Sequence, residues 1–184
     1  MIAETIKDRR AVFPQQYNSE PILKKEIEKI LKSANWAPTH KRTEPWRFKV
    51  FNGESQEKLG IFLAEKFKET TESFSEFKYN KIKENPQKAG CVIAICMQRD
   101  PNESLPEWEE IAATAMAVQN MWLTAHEMKI GAYWSSPGLI KYLNEFVKME
   151  DGERCLGFFY LGKYDGEIPA GVRKTSIEEK TTWY

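Results

Sequence analysis

Apolar residues recur along this chain at two spacings, and the switches between them mark its elements. Ile2 and Ile6 stand one helical turn apart with charges between them, which predicts a short amphipathic helix within residues 1–10, ending near Arg9 and Arg10. Pro14 breaks that pattern. From Pro21, a good early-helix residue, Leu23, Ile27, Ile30, Leu31 and Ala34 repeat at helical spacing. This second helix should stop before Pro38, because a residue preceding proline is pushed out of the helical region. Trp46–Phe51 alternates apolar and polar residues and predicts a strand with one covered face, after which Gly53 turns the chain. Leu59 to Tyr79 is polar with scattered Leu63, Phe67, Phe74 and Phe77, which predicts helix. Cys91 to Met97 is nearly all apolar and suits a central strand covered on both faces.

Pro106 opens a long helix running to about Met128. Its apolar positions, among them Ile111, Ala115, Val118, Met121, Trp122 and Ala125, occupy much of its girth, so it should be buried or lie at a subunit interface. Gly131–Trp134 reads as a short strand, Ile140–Val147 as a short helix and Cys155–Tyr164 as another strand. The tail from Ile168 is polar and irregular, yet it ends in Trp183 and Tyr184. Interleaved helices and strands argue for an α+β or α/β sandwich. No repeat, low-complexity linker or boundary divides the chain, which predicts a single domain over 1–184.

Composition narrows the function classes. The 184 residues are 41% hydrophobic and 29% charged, ordinary values for a globular domain with a sizeable core. The aromatic share of 12%, with six Trp, suggests burial beyond one subunit's own core. Lys plus Arg equals Asp plus Glu at 27 each, so net charge gives no reason to expect nucleic acid or an anionic membrane as partner. Three Cys without Cys-x-x-Cys spacing make a poor disulfide framework and a poor zinc site. Cys91 and Cys96 lie in an apolar run and read as reduced core residues, which fits a cytoplasmic location. The N-terminus is too charged for a signal peptide, and no stretch approaches the ~20 apolar residues of a membrane span. His40 and His126 are far apart and bring no metal-ligand spacing, so no metal is expected.

The chain lacks G-x-G-x-x-G, a P-loop and a G-x-S-x-G elbow, so any cofactor phosphate must be held by side chains. Three segments offer candidate chemistry. Arg9-Arg10 at a helix end could hold a phosphate through charge-assisted bonds; equally, a helix C-terminus simply favours cations. Trp36 to Trp46 (WAPTHKRTEPW) brackets His40, Lys41 and Arg42 between prolines in a loop after a helix. Such loops commonly carry binding residues, and they also serve as plain connectors. Gly131–Gly138 (GAYWSSPG) ends a strand in small hydroxyl residues with flanking Gly, offering either close backbone approach to a ligand or a surface turn.

Taken in order, the Arg-Arg pair ending the first helix, the A-P-x-H-K loop followed by P-W before a strand, the G-x-x-W-x-S turn and the G-F-x-Y-L-G strand resemble the nitroreductase family over nearly the whole chain, its compact members above all. The resemblance implies a nitroreductase-like α+β fold with a central, mostly antiparallel sheet flanked by helices. It also implies an obligate homodimer with two FMN sites at the dimer interface. Carried over, Arg9, Arg10 and Ala11 match the FMN-contacting segment, with Ala11 where the family usually has Ser, so only its backbone can serve. Trp36 and His40 match flavin-lining positions, Trp36 standing where relatives often have Arg. Trp134, Ser135 and Ser136 match the turn beside the isoalloxazine, and Arg173 resembles a C-terminal phosphate-binding Arg. Arg42 and Glu44 replace the Asn and Gln common in larger relatives.

The implied activity is an NAD(P)H-dependent oxidoreductase working by ping-pong hydride transfer through flavin N5. NADH or NADPH is the co-substrate, and a nitroaromatic, quinone or similar oxidised small molecule is the acceptor. The flavin carries the chemistry, so no protein acid or base is required. Lys41, with His40, is a candidate substrate contact. The alternatives are a reductive dehalogenation or other flavin reaction on the same scaffold, or an FMN storage or sensing protein without turnover.

Overall fold

Strand β2 (Cys91–Gln98) is the axis of the architecture, in a computed structural model that describes residues 1–184. It pairs antiparallel with β1 (Trp46–Phe51) on one side and with β4 (Glu153–Lys163) on the other. Strand β3 (Ile130–Ser135) pairs antiparallel with β4, giving the order β1-β2-β4-β3. Every pairing is antiparallel, so the sheet is that of an α+β fold, as the sequence implied. Seven consecutive residues of β2, Cys91 to Met97, are fully buried, which explains its unbroken apolar run.

Alternate β2 side chains feed two cores. Cys91, Ile93 and Ile95 join Phe159 and Leu161 of β4 under helices α2 (Lys24–Ala34) and α5 (Glu107–Glu127). Val92, Ala94 and Cys96 join Phe158 and Tyr160 on the opposite face, under Leu59 and Leu63 of α3 (Glu54–Thr70). The period of two along each strand is what separates the faces. Helix α2 lands Ile27, Ile30 and Ala34 on the first face at helical spacing. Each fully buried Ile or Leu contributes roughly 1.5–3 kcal/mol relative to exposure.

Two elements differ from the sequence expectation. The helix expected over Leu59–Tyr79 is two helices, α3 and α4 (Glu76–Lys88), broken between Thr71 and Ser75. The Ser75 hydroxyl accepts from Lys78 N at 3.3 Å and caps α4. Buried Gln56 donates to Pro86 O and Ala89 O, both at 2.8 Å, fastening the end of α4 onto α3. The helix expected over Ile140–Val147 is a 3₁₀ helix over Gly138–Glu145.

Several apolar side chains find no cover within one chain. On α1 (Ile2–Asp8), Ile2 and Ile6 face outward and only Thr5 is buried. Trp108 and Met116 on α5 are exposed, as are Val172, Ile177, Trp183 and Tyr184 in the tail. No helix is long and apolar enough to cross a membrane.

Candidate functional site

The end of α1 brings basic groups together. Arg9 closes the helix, its N–H donating to Thr5 O at 2.9 Å. Its guanidinium lies over the ring of Trp122 from α5, 4.4 Å from the centroid. Burial, then the nearby charges of Arg10 and Arg173, hold its pKa below the usual arginine range. Arg10 turns one nitrogen inward, Nη1 donating to Lys7 O at 2.6 Å and to Arg9 O at 2.8 Å, which is the helix-end cation at work. Gly171 lies directly against that guanidinium, where a Cβ would collide with it. The tail thereby returns to the first helix and sets Arg173 beside the pair.

The buried donors here are incomplete. Arg9 Nε, Arg10 Nε and Trp122 Nε1 are all out of solvent, and none has a hydrogen-bond partner within the chain. Buried donors left unpaired cost about 1–3 kcal/mol each. Three like charges, two of them with unpaired buried donors, suit a polyanionic group such as a phosphate, whose oxygens accept from several donors at once.

The same segment is tied to the sheet. Val12 N donates to Ala132 O of β3 at 3.0 Å, and Gly131 lies under the Val12 side chain with no room for a Cβ. Half-buried Ala11 is thus held between the arginines and β3. Two residues beyond Ala132, Trp134 pairs in register with Phe159, whose ring meets Trp122 edge-on at 5.6 Å. The backbone of Gly157 passes immediately beneath Trp134 Nε1 and Ser135 O. Arg9, Trp122 and Trp134 therefore form one continuous wall over buried Phe159, with half-buried Ser135 and exposed Ser136 at its open end.

The second cluster lies elsewhere. His40, Lys41 and Arg42 form a short 3₁₀ turn in which Lys41, Arg42 and Glu44 have φ of 49°, 57° and 42°. Left-handed conformations cost non-glycine residues roughly 1–2 kcal/mol each, so the surroundings must impose them. The segment leading into α5 does so. His40 Nδ1 meets Glu109 Oε2 at 2.6 Å, and Lys41 Nζ donates to Ser104 O at 2.9 Å. Ser104 is itself held by both its N–H and its hydroxyl to the Asp100 carboxylate. These two bonds hold the Asp100 carboxyl below its ordinary pKa. Buried Glu110 anchors the turn from below, paired with Arg99 and accepting from Asp100 N at 2.9 Å. A carboxylate at Glu109 accepts the hydrogen bond from Nδ1, which leaves Nε2 of exposed His40 without a partner in the chain. Trp36, two residues past the end of α2, is 86% exposed.

One subunit therefore divides the candidate residues. Arg9 and Arg10, with Arg173, gather near Trp122, towards the C-terminal end of α5, and Trp134 lies along the same wall. His40 and Lys41 attach at its N-terminal end, on the order of 20 Å away at 1.5 Å per helical residue. Sequence reasoning did not single out Trp122, Gly171, Glu109 or Ser104. Trp122 was visible only as one more apolar position of a long helix, and nothing local marks Glu109 among the acids opening α5.

Residues 6–163 match the sequence profile of the Nitroreductase family. The Bacillus subtilis relative YfhC, provisionally named an NAD(P)H nitroreductase, is 28% identical over 99% of this chain and 93% of its own. The crystal structure of a nitroreductase-like family protein from Bacillus cereus superposes with a TM-score of 0.82 at 30% identity, covering 100% of this chain and 96% of that one. A Desulfovibrio desulfuricans protein, described as a nitroreductase in complex with FMN, shares the fold with a TM-score of 0.74 at 21% identity, over 100% of this chain and 96% of its own. By profile, by relatives and by fold, the chain belongs to the nitroreductase family of oxidoreductases.

Proposed function

We propose that each subunit binds one FMN non-covalently and passes electrons from NADH or NADPH to an oxidised small molecule of nitroaromatic or quinone type. The observation that carries this reading is the gathering of Arg9, Arg10 and Arg173 with the unpaired Nε groups of the first two facing inward. Those donors fit a phosphate and have no partner in the chain itself. When bound, the flavin supplies the two-electron chemistry, and the protein binds, orients and excludes water.

In this reading the three arginines hold the phosphate. Trp122 and Trp134, backed by buried Phe159, provide an apolar bed, and Ser135 and Ser136 present small polar groups at its edge. Ala11 offers backbone only. Pro137, lacking an N–H, restricts donation at that turn to its neighbours. Trp36, His40 and Lys41 approach from a second subunit of a homodimer, because in their own subunit they stand at the other end of α5 from the arginines. His40 Nε2 and the Lys41 ammonium then offer a hydrogen-bonding group and a positive charge to the incoming nucleotide or acceptor. The dimer also covers the exposed Ile2, Ile6, Trp108, Met116 and tail residues.

The test is the absorption spectrum of the purified protein, followed by anaerobic titration with NADH and with NADPH. The expected result is a flavin spectrum, bleached by one or both nucleotides and restored by a nitroaromatic or a quinone. Heat-released cofactor should chromatograph as FMN. A colourless protein that ignores added FMN would overturn the proposal. A flavin that neither nucleotide reduces would leave a storage or sensing role instead of turnover.

A further inference from the structure

Outside the candidate flavin site, two of the three cysteines face each other across the sheet. Cys96 of β2 and Cys155 of β4 are direct register partners across the antiparallel ladder. Ile95 pairs with Gly157 and Cys96 with Cys155, so Leu156 is an extra residue, a β-bulge beside the pair. Both sulfurs lie on the sheet face that packs against α3. Directly opposed residues in such a ladder have Cα atoms about 4.5–5.5 Å apart, inside the window of about 4.4–6.8 Å that a disulfide requires. Register and face bring the two side chains together, and the Cys155 thiol donates to Gly157 O at 3.4 Å.

The two sulfurs are unequal in ways that assign them roles. Cys96 has no exposed surface. The neighbouring Cys155 sulfur, and further burial, push its thiol up. Cys155 is held down chiefly by the neighbouring Cys96 thiol. It also lines a cavity of ≈480 Å³ together with Ile140, Lys141, Asn144, Met149 and Arg154. Lys141 and Arg154 at that mouth attract an anionic reagent, while Glu153, which also lines it, opposes a thiolate on Cys155. Cys91 is the internal control. It sits opposite Leu161, has no thiol within its pairing, and burial pushes its pKa up to about 12.

We propose that Cys96 and Cys155 are a reversible dithiol–disulfide modification site, oxidised by a small-molecule disulfide that enters through the cavity beside Cys155. The Cys155 thiolate attacks one sulfur of the oxidant, breaking its S–S bond, forming a mixed disulfide and releasing one thiolate. Cys96 then gives up its proton and attacks Cys155 Sγ. The mixed S–S bond breaks, the Cys96–Cys155 bond forms, and a second thiolate leaves. The two protons from the protein end on the two released thiols, so the oxidant is reduced by two electrons and the protein oxidised by two.

The bond forms two residues before Gly157, whose backbone passes under Trp134, and it removes the S–H that Cys155 donates to Gly157 O. The site thus abuts the floor of the candidate flavin wall, although the proposal does not depend on flavin binding.

Oxidised glutathione is the probe, applied to the native protein as purified. Thiols are counted in denaturant, the intact mass is measured, and the tryptic peptides are mapped. The expected result is loss of two of the three free thiols. The intact mass should fall by two hydrogen atoms, a peptide should join Cys96 to Cys155, and dithiothreitol should restore all three thiols. Cys96→Ser should stop at a mixed disulfide on Cys155, and Cys155→Ser should remain unmodified. Retention of all three thiols by the wild-type protein overturns the proposal, as does a persistent glutathione adduct on Cys155 with Cys96 present, or a bridge that maps to Cys91.

Discussion

Arg9 stacks its guanidinium 4.4 Å over the Trp122 ring, and both buried nitrogens at that contact, Arg9 Nε and Trp122 Nε1, lack a hydrogen-bond partner. A cation–π contact of this kind contributes on the order of 0.5–2 kcal/mol, more as the charge is desolvated. It orients the guanidinium plane while leaving donors unspent. The nearby charges of Arg10 and Arg173 work against the cluster in the free chain. A phosphate bound there, as proposed, would reverse that balance.

Arg10→Ala is expected to weaken FMN binding by about 1.5–3 kcal/mol, the cost of removing one hydrogen bond to a charged group. Fluorescence titration of the apo-protein with FMN measures it. Arg10 also caps the end of α1, so thermal unfolding of the apo-protein gives the structural part of the change separately. Unchanged FMN affinity would reduce Arg10 to a helix-end cation.

Gly157→Ala should disturb the flavin wall without removing any of its residues. A Cβ at this position would run into Trp134 Nε1 and come within 2.7 Å of Ser135 O, so β3 must shift outward at its open end. The expected outcome is a protein that still folds but retains less flavin through gel filtration than the wild type. Full flavin occupancy in this variant would show that the Trp134–Ser135 segment does not touch the cofactor.

The sequence revealed those parts of the fold whose pattern and burial agree. Strand β2 is covered on both faces and reads as a continuous apolar run; α2 presents one stripe to one core. Helix α4 was hidden because only Pro86 of its residues is buried and the helix is polar around most of its girth. The 3₁₀ helix at Gly138–Glu145 was read as an ordinary helix because periods of 3.0 and 3.6 barely diverge over eight residues. At the site, Arg9 and Arg10 were visible as adjacent charges at a helix end. The pairing of His40 with Glu109 was not, because it spans two elements distant in sequence and neither residue carries a local mark of the other.

Acid should loosen the segment that holds the His40 loop. The folded pKa of Asp100 lies below its unfolded value through the bonds from Ser104 and then Asn102. A depressed carboxylate contributes stability that is fully present above the unfolded value, near pH ~4, and is lost as pH falls through the folded one. Urea midpoints of wild type and Asp100→Asn, compared at neutral pH and across the range below pH ~4, measure this. The variant is expected to be less stable at neutral pH, with the gap closing on acidification. Parallel curves at every pH would show that the Asp100 charge does not hold the turn.

The proposed homodimer accounts for the apolar surface that one chain leaves uncovered. Trp183 is 91% exposed and Ile6 50%, while Trp108 and Met116 stand out from α5. Apolar groups spread over α1, α5 and the tail make more uncovered surface than scattered single residues do, and obligate dimers bury such faces. A two-fold arrangement is the commonest closed solution. It would also let His40 and Lys41 of one subunit meet the arginine cluster of the other, which no single chain can do across the length of α5. Sedimentation equilibrium at low micromolar concentration is expected to give twice the 21.4 kDa chain mass. Trp183→Asp should be harmless to an isolated fold, since the side chain touches solvent there, but should weaken the dimer and release FMN together with it. A flavin-loaded monomer would contradict both the interface and the shared site, and would leave His40 and the arginines without a common ligand.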